Sequence, residues 1–179
     1  MTEIGSVYGR ALYELAVSEA LSDQILSQLN VLQQSFAQEP DFLKLLSVRS
    51  LSKAEQCSII SESFDGKLHP YMVNFLKLLT EKGYIRRFAD CAAAYRNAYN
   101  EDNNILPVTA VTAVELSAEQ TERLKKKLES ITGKSVELTN RVDADCLGGV
   151  RLELEGECMD DTVSHRLESV RLLLKNTVL

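Results

Sequence analysis

The feature that most constrains the fold is a change in the spacing of apolar residues near residue 104. Before this point, apolar residues recur every three or four positions, which is typical of one face of an α-helix. After the polar stretch at residues 101–104, residues 105–114 are β-branched and apolar, and two later segments alternate with a period of two, as strands with one buried face do. The sequence therefore predicts a mainly α-helical protein with a small α+β part, divided into residues 1–104 and 105–179.

Six helices joined by short connections are predicted in residues 1–104, which favours a compact six-helix bundle. Ser52 and Glu55 have the spacing of a capping box, Pro70 suits the first turn of a fifth helix, and Gly83 can end that helix in the left-handed conformation. The residues predicted to form the inner faces of the six helices are Ile4, Val7, Tyr8, Ala11, Leu12 and Leu15; Ile25, Leu29, Leu32 and Phe36; Phe42, Leu43, Leu45 and Leu46; Ile59, Ile60 and Phe64; Val73, Leu76 and Leu79; and Ile85, Phe88, Ala92, Tyr95 and Tyr99.

Residues 105–179 are predicted to form a strand, a helix, two strands and a final helix. Pro107 should lie near the start of the first strand or on an edge, since it cannot donate to a central ladder. Ser117 and Gln120 form a second capping box, and Gly133 should end the helix that follows. The apolar residues expected to pack together here are Leu124, Leu128 and Ile131; Val136, Leu138 and Val142; Val150, Leu152 and Leu154; and, on a final helix from about Asp160, Val163, Leu167, Val170 and Leu174.

The charge balance disfavours a nucleic-acid binder. The net charge is −6, whereas a protein that displaces counterions from phosphates needs a basic surface. The only dense basic run, residues 125–127 after Arg123, lies among acidic residues and is interpreted as a solvated helix face. No apolar run approaches the roughly 20 residues needed to span a bilayer, so we expect a soluble protein. The four cysteines are too far apart for a metal or redox motif, and we expect free, mostly buried thiols in a reducing compartment.

No motif for catalysis, cofactor binding or metal binding is present. Neither His69 nor His165 has a second ligand at metal spacing, and both are interpreted as surface histidines. Asp160 and Asp161 suit the start of a helix better than an acid–base pair, because adjacent residues on a helix diverge. What remains are the first and fifth helices, which carry more apolar residues than one core face requires. These faces could be a wide core or a groove that accepts a partner helix.

Four segments, spread in order over the whole chain, resemble the delta-subunit family of bacterial and plastid ATP synthases, which is related to the mitochondrial oligomycin-sensitivity-conferring protein. Residues 8–16 (YGRALYELA) resemble the family's opening Y-A-x-A-L-x-x-L-A, and residues 74–84 (NFLKLLTEKGY) its N-F-L-x-L-L segment, with Tyr84 where the family often has Arg. Residues 147–150 (LGGV) resemble its strand entry, and residues 160–167 its D-G-S-V-x-x-x-L ending, with Asp161 in place of the usual Gly.

The resemblance implies a non-catalytic stator subunit that needs no cofactor. It links the catalytic head of a rotary ATP synthase to the peripheral stalk, on the cytoplasmic face of the cell inner membrane. The N-terminal helix of an alpha subunit would bind in a groove between the first and fifth helices, and the peripheral-stalk b subunits would bind the C-terminal part. The candidate groove residues are Tyr8, Ala11, Leu12, Leu15, Phe75, Leu78 and Leu79.

Two other classes of function stay open at this stage. A helical-bundle nucleic-acid or transcription adaptor would show binding to RNA that weakens steeply with salt. A small enzyme built from scattered residues would show pocket-lining acids with strongly shifted pKa values.

Overall fold

A computed structural model describes residues 3–48, 51–146, 148–154 and 157–160, the last of these as backbone only. The described residues are mainly helical with a small sheet, as the sequence predicts. Contacts between residues divide the chain into two compact units, with the division between Tyr99 and Asn100. The predicted boundary lies a few residues later, after residue 104.

The first unit is built from helices. Their bounds are α1 Glu3–Ser18, α2 Ser22–Gln38, α3 Pro40–Leu45, α4 Lys53–Phe64, α5 Pro70–Glu81, a 3₁₀ turn Ile85–Arg87 and α6 Phe88–Asp102, which runs past the division. Pro40 begins α3, because proline is well tolerated in the first helical turn. One detail differs from the sequence prediction. Ile85 belongs to the 3₁₀ turn and not to the sixth helix itself.

The predicted start and stop signals act as expected on α4 and α5. The Ser52 hydroxyl accepts from the Glu55 backbone N–H, and the Glu55 carboxylate accepts from the Ser52 N–H at 2.8 Å, which completes the capping box. Pro70 occupies the first turn of α5, and Gly83 follows it with a φ of 76°. His69 has a role that the sequence did not reveal, since its Nδ1 accepts from the Tyr71 N–H at the start of α5. His165 lies outside the described residues.

The core of the first unit takes buried residues from every helix except α3, whose Phe42 and Leu43 pack against it while partly exposed. Its buried members are Leu12, Tyr13, Ala16, Ile25, Leu29, Leu32, Phe36, Leu46, Ile60, Met72, Val73, Phe75, Leu76, Leu79, Ile85, Phe88, Cys91, Ala92 and Tyr95. Four predicted inner residues are exposed. Leu45 is exposed because α3 turns Phe42 and Leu43 toward the core instead, and Val7, Ala11 and Leu15 lie on the outer side of α1.

One close helix contact holds α1 against α6. A Cβ atom added at Gly9 would lie 2.3 Å from the Cys91 carbonyl oxygen and 2.7 Å from the Ala94 Cβ. Only a residue without a side chain fits this spacing, because the nearest atom belongs to the α6 backbone. Gly9 therefore fixes which face of α1 points inward.

The second unit contains β1 Ile105–Thr112, α7 Ala118–Thr132, β2 Ser135–Val142, a 3₁₀ turn Ala144–Cys146, β3 Val150–Leu154 and β4 Glu157–Asp160. The strand order is β2-β1-β3-β4, with β1 parallel to β2 and the other pairs antiparallel. Pro107 lies near the start of β1. Strand β3 pairs with β1 only from Val108 onward, so β3 makes no hydrogen bond that would require the N–H that Pro107 lacks. Ser117 and Gln120 form the predicted capping box, and Gly133 ends α7 with a φ of 69°.

The core of the second unit lies on one face of this sheet. Its buried members are Leu106, Val108, Leu128 and Val136, with Leu124, Leu138, Leu152 and Leu154 packed against them. Ile131 and Val142 were predicted to face inward, but they are 72 % and 54 % exposed. Each lies at the end of its element, where the periodic pattern continues after the packed core has stopped.

The last described segment adds a strand that the sequence does not predict. Asp160 ends β4, where it pairs with Arg151 of β3, and the helix predicted from about Asp160 falls on residues outside the described ones. Four residues in this stretch are too few to show a strand period on their own. Asp161 and the predicted inner residues of the final helix, Val163, Leu167, Val170 and Leu174, lie outside the described residues.

Candidate partner-binding surface

The outer side of α1 carries a row of apolar side chains. Gly5, Gly9, Tyr13 and Ala16 are buried on the inner side of this helix. Val7, Ala11 and Leu15 follow one another at four-residue steps and are exposed, Val7 at 62 % and Leu15 at 40 %. Residues at this spacing share a helix face, and eight residues of helix rise about 12 Å. The row therefore offers a narrow apolar stripe, here called the α1 stripe (Val7, Ala11 and Leu15).

Helix α5 places most of its apolar residues in the core and leaves Leu78 outside. Phe75 and Leu79 are buried, whereas Leu78 is 39 % exposed. The surplus of apolar residues seen in the sequence of α5 is therefore mainly wide core, with a small exposed contribution.

The predicted groove residues accordingly fall into two groups. Ala11, Leu15 and Leu78 are exposed and Tyr8 is half-buried, so these four are accessible to a partner. The other three, Leu12, Phe75 and Leu79, are buried members of the core.

A pair of tyrosines connects the α1 stripe with the end of α5. The rings of Tyr8 and Tyr84 meet edge to face, with centroids 5.9 Å apart and an interplanar angle of 61°. The Tyr84 N–H donates to the Leu79 carbonyl at 2.7 Å, and the positive φ of Gly83 lets the chain turn back for this bond. We call Val7, Tyr8, Ala11 and Leu15, together with Leu78 and Tyr84, the α1–α5 surface. Sequence periodicity could reveal Val7, but Tyr84 follows the helix and carries no periodic signal.

Helix α5 is anchored to α4 on a different side from this surface. The Lys53 ammonium donates to the Thr80 carbonyl at 2.8 Å and to Gln56 Oε1 at 3.2 Å. The buried Gln56 amide in turn donates to the Val48 carbonyl at 2.8 Å. These bonds join α4, α5 and the segment before α4, so Leu78 is carried on a firmly held helix.

The groups with shifted pKa values lie in the core, at a helix cap or, in the case of Cys57, half-buried on α4. Burial raises the pKa of the Cys91 thiol to about 11, and burial also raises that of the Tyr95 phenol, whose hydroxyl donates to the Ser22 carbonyl. The pKa of Cys57 is raised by partial burial and then by Glu81. Hydrogen bonds from Ser52 lower the pKa of Glu55. Each shift has a structural cause, and the described residues bring no two of these groups together as an acid–base pair.

The second unit presents charged rather than apolar side chains on the sheet face opposite its core. Glu153 lies 2.8 Å from Arg141 and 3.4 Å from Arg151, which also approaches Asp143 at 3.7 Å. These partly exposed pairs contribute little to stability. The basic run of α7 behaves as a solvated face, with Lys126 paired to Glu122.

The described residues contain neither a metal-binding cluster nor a membrane-spanning helix. Among them, no group of three or more His, Cys, Asp or Glu side chains could hold a metal ion. In the same residues, no helix is both long enough and apolar enough to cross a lipid bilayer.

The fold as a whole is shared with a known class of protein. A chain in the cryo-EM structure of the Toxoplasma gondii mitochondrial ATP synthase hexamer matches 97 % of this chain and 98 % of its own length, with a TM-score of 0.77 at 15 % sequence identity. At that identity the likeness establishes a common fold, in which a helical unit is followed by a small unit with a sheet.

The sequence comparisons are more specific. The profile of the ATP synthase delta (OSCP) subunit family matches residues 4–174. An ATP synthase subunit delta of Lactobacillus gasseri is 33 % identical over 170 residues, which cover 94 % of this chain and 93 % of the relative. One from Gloeobacter violaceus is 32 % identical over 174 residues, covering 96 % and 94 %. The chain belongs to the ATP synthase delta (OSCP) subunit family.

Membership of this family gives the function. The chain is a stator subunit in the peripheral stalk of the ATP synthase, a membrane-associated complex. This assignment displaces the alternative of a nucleic-acid or transcription adaptor.

Proposed function

We propose that this stator subunit catalyses nothing itself and holds the N-terminal helix of an alpha subunit on the α1–α5 surface. The observation that carries the proposal is the exposed α1 stripe next to a rigidly held α5. A monomeric helical unit gains nothing by exposing three apolar side chains in a row, whereas an amphipathic partner helix can cover them. Residues 1–104 would then act as one six-helix bundle that binds the head.

The mechanical demand on a stator fits this kind of contact. The catalytic head experiences torque when the central shaft turns, so the link that holds the head must dissociate slowly. Differences in affinity between related complexes reside mostly in the dissociation rate, and buried apolar contact slows dissociation without any cofactor.

The structure narrows which side chains touch the partner. Ala11, Leu15 and Leu78 are exposed and Tyr8 is half-buried, so we assign direct contact to them. Leu12, Phe75 and Leu79 are assigned a supporting role, because they are buried beneath the surface. Ala11 lies at the centre of the α1 stripe, and its small side chain lets a partner helix approach closely.

We assign the second part of the chain, residues 105–179, to the peripheral-stalk b subunits. The support is its separate core around Leu106, Val108, Leu128 and Val136, which allows it to bind independently of the first unit. The complex would hold the subunit at the cytoplasmic face of the inner membrane.

The test of the head contact is Ala11→Asp in the full chain. An unpaired carboxylate in a desolvated helix contact costs several kcal/mol, so we expect the affinity for an alpha-subunit N-terminal peptide to fall by roughly two decades or more. Isothermal titration calorimetry gives the affinity, and circular dichroism checks the fold. Val17→Asp is the matched control, because Val17, like Ala11, is an exposed apolar residue of α1 but lies off the stripe. Unchanged binding by the Ala11 variant contradicts the proposal.

The test of the two-site arrangement is a chain ending at Leu167. We expect it to lose attachment to the stalk and to retain binding of the alpha peptide, since units with separate cores should fail separately. Both partners are assayed by pull-down with purified b subunits and by calorimetry. A parallel loss of both activities would indicate one shared interface instead.

A further inference from the structure

We propose that Tyr84 is a specificity-determining residue of the α1–α5 surface, where it forms with Tyr8 an aromatic anchor for the partner helix. This inference rests on the proposed function and adds to it a residue from outside helices α1 and α5. The anchor lies beside the α1 stripe, since Tyr8 is three positions before Ala11 and residues at this spacing are neighbours on a helix surface.

The two rings are built into the surface but not sealed inside the protein. Both tyrosines are half-buried and pack at the edge of the first core. Neither hydroxyl has a hydrogen-bond partner among the described residues, and neither counts among the buried side-chain atoms that lack one. Each hydroxyl therefore reaches solvent, while the ring beneath it is packed. Tyrosine is effective at interfaces because its apolar ring can pack while its hydroxyl stays available for a hydrogen bond to the partner.

The position of Tyr84 is fixed before any partner arrives. Its N–H donates to the Leu79 carbonyl at 2.7 Å, and its own carbonyl accepts from the Arg87 N–H at 2.8 Å. The edge-to-face contact with Tyr8 holds the ring from the other side. A side chain that is already ordered loses little rotamer entropy on binding. Less of the favourable free energy of its contacts is therefore offset, and the affinity is higher.

The occupant that suits this geometry is the amphipathic alpha-subunit helix of the proposed function. The α1 stripe is about 12 Å long, which matches roughly two turns of a partner helix. At the aromatic end, that helix should place an apolar side chain on the tyrosine rings and an oxygen acceptor near the hydroxyls. Both features are chemical requirements, so a helix without them should bind less well even when its apolar face is intact.

The closing experiment measures the affinity of full-length variants for the alpha N-terminal peptide by calorimetry. We expect Tyr84→Ala to raise the Kd by about tenfold or more, in the range of an interface hot spot. Tyr84→Phe, which keeps the ring contact and removes the hydroxyl, should raise the Kd by less. The matched control is Phe42→Ala, which removes another edge-to-face pair of the same unit, that with Phe64 at 5.7 Å. It should lower the melting temperature and leave the Kd within about twofold of the parent.

The outcomes separate this inference from the proposed function. If Ala11→Asp abolishes binding but Tyr84→Ala leaves the Kd unchanged, the role of Tyr84 is refuted and the docking surface stands. If neither variant changes the Kd, the docking surface itself is wrong. Equal weakening by Tyr84→Ala and Phe42→Ala would show that the ring acts only through stability.

A second measurement needs no variant and covers the case in which Tyr84→Ala fails to fold. Hydroxyl-radical footprinting of the unaltered full chain, read by mass spectrometry, reports the accessibility of each tyrosine. We expect the oxidation of Tyr8 and Tyr84 to fall when the alpha peptide is added, while that of the buried Tyr95 stays low throughout. Unchanged oxidation of Tyr84 at saturating peptide overturns the inference.

Discussion

Gly9→Ala tests how closely α1 packs on α6, and therefore which face of α1 is free for a partner. The added Cβ would lie 2.3 Å from the Cys91 carbonyl oxygen and 2.7 Å from the Ala94 Cβ. Carbon–oxygen and carbon–carbon pairs at these distances overlap strongly, and neither neighbour is the movable end of a long side chain. The two helices must therefore move apart or shift along each other.

Two opposing effects set the size of the change. Alanine is a better helix former than glycine in a helix interior, which by itself should stabilise the variant by about 0.5–1 kcal/mol. Overpacking a tight contact typically costs about 1–3 kcal/mol, and contact with a backbone atom favours the upper part of that range. The expected net result is a loss of about 1–2 kcal/mol, which for a helical unit of this size lowers the melting temperature by roughly 5–15 °C.

Thermal melts followed by circular dichroism measure this change, with Ser6→Ala as the control. Ser6 is exposed on α1, so its replacement adds only helix propensity and should leave the melting temperature unchanged or slightly higher. A melting temperature of Gly9→Ala at or above that of the parent would show that α1 and α6 are not in the close contact described, and the assignment of the outward face would lose its support.

Three further predictions concern local chemistry and the division of the chain. Ser52→Ala should cost about 1 kcal/mol of unfolding free energy by removing the α4 cap, measured by urea denaturation. Bonds from the Ser52 backbone N–H and then from its hydroxyl lower the folded-state pKa of Glu55, and the variant loses only the hydroxyl bond. The cost should therefore become smaller as the pH falls through that pKa and remain in part, because the hydroxyl also accepts from the Glu55 N–H; a cost that stays constant down to acidic pH would contradict the role of the carboxylate. Cys91, buried and with its pKa raised to about 11, should resist alkylation at pH 8 until the protein is unfolded, and rapid labelling of the native chain would show that α6 opens readily. A fragment of residues 1–104 should melt cooperatively by circular dichroism, since its core is separate from that of the sheet; a non-cooperative melt would place the boundary elsewhere.

The ends of several helices could be predicted from the local sequence alone. The two capping boxes, at Ser52 and Ser117, and the glycine stops at Gly83 and Gly133 act within a few residues of themselves, so their geometry depends little on distant parts of the chain. The change of period near residue 104 likewise separated helices from strands, because the two structures bury side chains at different intervals. Strand β4 escaped notice, since four residues cannot display a period.

The candidate surface was only partly predictable. Periodicity identified α1 and α5 as helices with surplus apolar residues, and the resemblance placed a groove between them. Neither periodicity nor resemblance could tell which of the adjacent residues Leu78 and Leu79 is accessible. In the structure, Leu78 is exposed and Leu79 is completely buried. The direction in which a helix faces depends on its neighbours, and the spacing of its own residues leaves a rotation of one position undetermined.

The sequence by itself therefore determined the kinds of elements, their approximate ends and the family, since these depend on local hydrogen bonds and on a linear pattern of residues. The tertiary structure decided which side chains remain accessible. Close packing at Gly9 turns one face of α1 inward and leaves Val7, Ala11 and Leu15 outside. The fold also brings Tyr84 against Tyr8 across 76 positions of sequence (84 − 8), a contact that no local pattern encodes because it exists only once α1 and the end of α5 are packed together.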